Sequence, residues 1–397
     1  MYVQRTSSSR QPSSRWSSRR CSPIDRPDRP RARPAGRPGW RSSQQDAYVV
    51  SRLVGRTILA VFDGHGGAEV SRHAANSFIP RLEAELSENS PAEALRRALA
   101  AIESSLREEL SGISLDQVGS TAICVAVDDA TIACSWLGDS RAVLSSNGVA
   151  VPLSYDHRPD DDLERQRISN AGARVFRGRV NGMLAVSRAL GDYLYKSVQN
   201  VDAFDQPVSA KPDCVSRPRS LDATDEFVIV ACDGIWEKVT NDQAVAFVRA
   251  AWAHGLKHPD LVVTKLLQWC LLSGSTDNMT CCLYLIDTTS LDDINPQDAD
   301  ARLQATDLAA PAVFFADQVI ERRRANVAKM AEADVVNAIK AFGLHSHAAT
   351  LAAHHVDGES LLEVEEHEFT EDLEMPPADA RFMTLALQWW DKTSTWL

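Results

Sequence analysis

Apolar residues recur along this chain with two different periods. Runs of strand length at 57–62, 120–127, 131–137, 142–145, 227–232 and 279–286 are bounded by Gly, Asp, Asn or Ser. Between them, 68–79, 91–110, 160–171, 241–252 and 259–272 carry apolar residues three and four apart, which predicts helices. Pro91 suits a first helical turn, Gly172 a C-cap, and Thr240 or Asn241 an N-cap. Several strands follow one another with no helix between. The spacing therefore predicts an α+β domain over 39–290, its sheets mainly antiparallel and its helices packed outside.

The flanks read differently. Residues 1–38 are rich in Ser, Arg and Pro and hold few large apolar side chains, so they cannot bury enough surface to offset ordering entropy and are expected to form a disordered tail. Residues 291–325 are polar and Asp-rich, a linker with some helix. Residues 326–393 are helical in pattern with short breaks, which predicts a separate small bundle.

Composition narrows the class. The chain has 397 residues, 44% hydrophobic and 24% charged, which excludes wholesale disorder and a fibrous repeat. No apolar run approaches the ~18 residues that span a bilayer. The net charge of −12 hides an asymmetry. Residues 1–41 hold eleven Arg against Asp25 and Asp28, whereas 331–397 hold thirteen acids against Lys340, Arg381 and Lys392. The average therefore describes neither end. Eight Cys include no C-x-x-C pair and lie mostly in apolar runs, which reads as buried free thiols in a reducing compartment, cytoplasm or nucleus, with no zinc site. The Arg/Ser-rich start shares its composition with organelle transit peptides but lacks their apolar stripe.

Candidate chemistry lies at strand ends. Asp63, Asp139 and Asp233 follow apolar strands, and Asp277 precedes one. Carboxylates gathered in one cleft repel unless cations lie between them, and all-oxygen ligation suits Mg²⁺ or Mn²⁺. Taken singly, each Asp is more often a turn residue.

The strings around these acids are Trp40-Arg41-Ser42-Ser43-Gln44-Gln45-Asp46, Val61-Phe62-Asp63-Gly64-His65-Gly66-Gly67, Gly119-Ser120-Thr121-Ala122 and Gly138-Asp139-Ser140-Arg141, followed by Asp156-His157-Arg158-Pro159, Ser187-Arg188-Ala189-Leu190-Gly191-Asp192, Cys232-Asp233-Gly234-Ile235-Trp236-Glu237 and Ser275-Thr276-Asp277-Asn278-Met279-Thr280. In this order the set resembles the metal-dependent type 2C Ser/Thr protein phosphatases over 39–287. The resemblance implies a four-layer α-β-β-α sandwich that hydrolyses phosphoserine and phosphothreonine with a hydroxide bridging two Mg²⁺ or Mn²⁺ ions. It implies that Asp63 bridges the ions, that the Gly64 carbonyl ligates one, and that Asp233 and Asp277 complete the other. Asp46 would hold metal-bound water, and Asp139 and Glu237 would line a third, weaker position. Arg41 would bind the phosphoryl group and His65 would protonate the leaving alkoxide. The stretch 187–192 and the Asp156-His157 pair are expected to support the site structurally, and 142–215 to form a flap beside the cleft.

Two departures from the family stand out. Gln45 occupies a position that is often Glu, and the stretch before Trp40, with Pro34 and Pro38, makes a poor first strand. They motivate a rival reading, a weak or inactive phosphatase-like scaffold.

Residues 332–390 resemble a sterile alpha motif domain, a five-helix bundle. The resemblance rests on 335–344, on Val356-Asp357-Gly358-Glu359-Ser360-Leu361-Leu362, on Arg381 and on a last helix at 380–390. It implies a protein partner or self-association. Nucleic acid is not expected, since acidic residues repel phosphates.

Overall fold

The computed structural model describes residues 32–37, 41, 43–220, 224–306, 331–341, 345–364, 366–371, 373 and 375. The readings on 1–31, on Trp40, on most of the linker, on Arg381 and on the last helix lie outside them.

In chain order the elements are β1 (Ala32–Arg37), β2 (Ala47–Leu53), β3 (Arg56–Phe62), β4 (Gly64–His65), α1 (Glu69–Leu86), α2 (Pro91–Glu109), β5 (Gly119–Ser120), β6 (Ala122–Val127), β7 (Thr131–Leu137), β8 (Arg141–Ser146), β9 (Val149–Pro152) and α3 (Asp162–Asn170). They continue as β10 (Val175–Phe176), β11 (Arg179–Val180), β12 (Leu190–Gly191), β13 (Asp213–Pro218), β14 (Asp225–Ala231), α4 (Asp233–Trp236), α5 (Asn241–Ala253), α6 (Pro259–Leu272), β15 (Met279–Leu285), α7 (Thr289–Asp292) and α8 (Pro296–Gln304). Two five-stranded sheets run in the orders β1-β15-β14-β8-β9 and β13-β7-β6-β3-β2, and every pairing is antiparallel.

Period-2 alternation explains why the central strands are apolar throughout. In β14, Phe227, Ile229 and Ala231 join a core with α5 and α6. Val228 and Val230 face a second core shared with Leu59 and Val61 of β3 and Ile123 and Val125 of β6. Strand β6 sorts its residues by size, with Ala122, Cys124 and Ala126 under α1 and α2 and the bulkier Ile123, Val125 and Val127 between the sheets. A residue on either face of such a strand is buried, so polar positions are few and paired, as Glu226 is with Ser145 and Arg249.

Several expectations change. The stretch before Trp40 does form a strand: β1 pairs with β15 from Ala32↔Tyr284 to Arg37↔Met279, ahead of residue 39. Its Pro34 is tolerated because β1 is an edge strand, where a missing N–H need leave no neighbour unpaired. Helix α1 runs past the expected stop at 79 to Leu86, with Pro80 inside it. Pro80 and Asn76, the residue whose carbonyl loses its bond, are both exposed, while Phe78 and Leu82 stay buried. Residues 142–152 belong to β8 and β9 in a main sheet, so the flap is confined to the segment between β9 and β13. That segment has a small core of its own, with Ile168, Val180, Val186, Ala189, Tyr195 and Val208.

Thr240 caps α5 with a full capping box: Gln243 N donates to Thr240 Oγ1 at 3.2 Å and Thr240 N to Gln243 Oε1 at 2.8 Å. In the C-terminal part, helices Glu332–Ala341, His345–Ala353, Gly358–Glu363 and Glu366–Glu371 surround Val335, Leu351, Leu361, Phe369 and Met375. No helix among the described residues is long and apolar enough to cross a membrane.

Candidate active site

The site lies where the strand ends of both sheets converge. Asp46 precedes β2, Asp63 links β3 to β4, Asp139 links β7 to β8, Asp233 opens α4 directly after β14, and Asp277 precedes β15. Each carboxyl is therefore held at the end of a strand, a buried one in every case but that of Asp46. Gly64 and Gly234 allow this crowding: a Cβ on Gly64 would overlap Gln45 O, and one on Gly234 would overlap Asn278 O.

Asp46, Asp63 and Cys232 bring ligand atoms within 4.8 Å of one another. The carboxyl of Asp63 is also within hydrogen-bond reach of Asp233. Burial, with repulsion from Asp46, Asp233 and Asp139, holds Asp63 well above the ordinary carboxyl value. Burial, aided by Asp139 and Asp277, pushes Asp233 up to about 8. Burial raises Asp46 and Asp139 to about 6, against three side-chain hydrogen bonds at Asp46 and with help from Asp156 at Asp139. Glu237 is exposed, at the end of α4, and its charge bears on Asp233. All the expected acids thus belong to one cluster.

Arg41 is exposed and its Nη2 donates to Asp277 Oδ2 at 2.8 Å. His65 sits in the small sheet β12-β5-β4, with Nε2 2.6 Å from Asp192 Oδ2. Arg141 grips Asp156 through Nε and Nη2 at 2.9 and 2.8 Å, and Gly138 N donates to His157 Nδ1 at 3.2 Å. Arg188 likewise joins Glu164 to Asp213.

Sequence reasoning overlooked the residues that hold the acids. Thr280 Oγ1 donates to Asp46 Oδ2 at 2.7 Å. Asn278 ties Gln45 N to Ser43 O, at 2.8 and 3.0 Å. Thr121 N donates to Asp63 O at 2.9 Å, and Asp63 N to Thr121 Oγ1 at 3.3 Å. All three belong to the quoted motifs, but nothing in a linear string says which acid each one meets. At Gln45 the contacts run through the backbone, whose carbonyl also accepts from Ser71 Oγ. Cys232 lines the cluster, and burial holds its thiol well above the usual value, so it stays protonated.

The donor set fits hard divalent cations. Apart from the protonated Cys232 thiol it offers oxygens, and Asp46 Oδ1 is buried with no partner, a costly state that a cation or its water would relieve.

The family model of protein phosphatase 2C matches residues 37–279. Over 262 residues the chain is 36% identical to protein phosphatase 2C homolog 2 of Schizosaccharomyces pombe, covering 62% of this chain and 70% of that one. Over 290 residues it is 36% identical to a probable protein phosphatase 2C of Caenorhabditis elegans, covering 70% and 77%. A crystal structure of a phosphatase from Toxoplasma gondii superposes with a TM-score of 0.58 at 25% identity, covering 64% of this chain and 91% of that one. The chain belongs to the protein phosphatase 2C family. It is a Ser/Thr protein phosphatase, of a family that depends on Mg²⁺ or Mn²⁺.

Proposed function

We propose that this protein hydrolyses phosphoserine and phosphothreonine in phosphoproteins at the Asp46–Asp63–Asp233 cluster. Asp63, the Gly64 carbonyl, Asp233 and Asp277 would hold two Mg²⁺ or Mn²⁺ ions, Asp46 their water, and Asp139 with Glu237 a third, weaker ion. When bound, the ions would supply an activated water near neutral pH and offset charge on the phosphoryl group. The observation that carries the reading is the buried, partnerless Asp46 Oδ1 among carboxyls whose proton affinity is raised.

Arg41 orients the substrate, since a guanidinium fork matches two phosphoryl oxygens. Water attacks phosphorus in line as the bond to the Ser or Thr oxygen breaks. His65 gives its proton to that oxygen, which would otherwise leave as a poor alkoxide. The products are inorganic phosphate and the free hydroxyl, with no covalent phosphoenzyme. The test is phosphate release from a phosphothreonine peptide, expected with Mn²⁺ and absent in excess EDTA. Turnover that persists in EDTA refutes the reading.

The three hydrophobic cores, one between the sheets and one under the helices of each, support a four-layer α-β-β-α arrangement over 39–290. The four described C-terminal helices around one core support a sterile-alpha-motif-like module over 326–393 that targets the enzyme by binding a protein or a second copy. The rival scaffold reading loses one of its grounds, since β1 is present. Calorimetry with Mn²⁺ separates the two, because a scaffold need not bind two ions tightly.

A further inference from the structure

We propose that Asp192 is a positioning residue for the reaction: it fixes the tautomer and orientation of the His65 imidazole so that Nδ1 is the nitrogen that serves the leaving oxygen. The inference rests on the reading of His65 as the proton donor.

A carboxylate only accepts hydrogen bonds, so at 2.6 Å from Asp192 Oδ2 the Nε2 of His65 must carry the hydrogen. That ring nitrogen is thereby committed to Asp192, and the proton given to the leaving oxygen is the second one, which the imidazolium form carries on Nδ1. Asp192 is 1% exposed and His65 27%, so solvent reaches the imidazole rather than the carboxylate behind it. Asp192 Oδ1 is buried with no partner. The carboxyl is therefore not part of a saturated structural network.

The local backbone is shaped around this pair. Asp192 has φ 53°, a left-handed conformation that Asp tolerates better than most side chains and that turns the chain here. Gly119, on the neighbouring strand β5, has no room for a side chain, because a Cβ there would run into both Asp192 Oδ2 and His65 Nε2. The turn is braced from behind. Asp192 N donates to Val118 O at 3.0 Å, Gly191 N to Glu103 Oε2 at 2.9 Å, and Lys196 Nζ to Glu103 Oε1 at 2.7 Å. These bonds hold the carboxylate against the ring.

The test compares two esters in the Mn²⁺-loaded protein. A phosphothreonine peptide needs its leaving alkoxide protonated, whereas p-nitrophenyl phosphate releases a stable phenolate. Asp192→Asn is expected to lower kcat on the peptide about 10–100-fold and on the aryl ester less than about 3-fold, with KM for the peptide little changed. His65→Ala should show the same selectivity, and the double variant should be no worse on the peptide than His65→Ala alone. Equal losses on both esters for Asp192→Asn, or full peptide activity in that variant while His65→Ala is impaired, would overturn the role of Asp192 and leave that of His65 standing. Equal losses for His65→Ala would remove the proton-donor reading and this inference with it. Should Asp192→Asn not fold, Gly119→Ala must produce the same selective loss, and an unselective or absent loss overturns the proposal.

Discussion

Arg41 Nη2 and Asp277 Oδ2 lie 2.8 Å apart, although 236 residues separate them in the chain. The side chains are 58% and 35% exposed, so the pair is worth no more than about 1 kcal/mol. Cations bound by Asp277 would displace the guanidinium easily and leave it free for a phosphoryl group. Arg41→Ala is expected to lower kcat/KM on a phosphopeptide about 10–100-fold, mostly through KM if the contact is equal in ground and transition states. A Michaelis–Menten comparison at saturating Mn²⁺ measures this.

The raised carboxyls set a pH dependence. Asp46 and Asp139 move from 3.8 to about 6, and Asp233 to about 8, with burial the leading cause. A group that holds its proton more tightly when folded favours folding fully below its unfolded value, near pH 4. That advantage is lost as pH rises through the folded values, 6 to 8. The metal-free protein should therefore lose stability from these groups between pH 5 and 8, and saturating Mg²⁺ should flatten the decline. Thermal unfolding across that range, with and without Mg²⁺, checks it, and identical slopes would count against the assignment.

The same shifts predict that cation binding expels protons. Near pH 6.5 Asp233 is largely protonated, and it must ionise to act as a ligand. Calorimetric titration with Mn²⁺ in two buffers of different ionisation enthalpy should give different apparent heats. Asp233→Asn should abolish turnover, weaken the heat of Mn²⁺ binding and leave the far-UV circular dichroism unchanged.

Gly234→Ala introduces a Cβ onto Asn278 O, a backbone atom next to Asp277. The strain is expected to cost about 1–3 kcal/mol in urea unfolding and to lower kcat by displacing Asp233 relative to Asp277. Wild-type stability and rate in this variant would mean that the two segments have slack.

Deletion through Arg37 removes β1 and bares the edge of β15, whereas deletion through Pro30 leaves β1 whole. The longer deletion should lower the Tm relative to the shorter one, by about 2–4 °C for each kcal/mol lost.

Legibility in the sequence followed burial. Strands β14 and β6 were readable because both faces are buried and the positions are apolar, throughout β6 and from Phe227 onward in β14. Strands β1, β2 and β13 were not read, because they lie at sheet edges; β13 is half-exposed or exposed along its length. The acids of the site were readable from their motifs, since Asp beside Gly at a strand end is a local signal. Asp192 was read only as part of a supporting turn, because its partner His65 is 127 residues away and only the β12-β5-β4 sheet brings them together. Thr280 was hidden in the same way, 234 residues from Asp46.

The pairing of β1 with β15 has a consequence for how the enzyme is made. Asp46 and Asp63 leave the ribosome early, but Asp233, Asp277 and Thr280 emerge some two hundred residues later. At about 5–20 residues per second, the nascent chain spends on the order of 10–40 s without a complete cluster. A truncated translation product ending before α4 would carry Arg41, Asp46, Asp63 and His65 yet lack Asp233 and Asp277, the later half of the cluster. At the proposed site, hydrolytic activity would thus await synthesis of the domain nearly to its end.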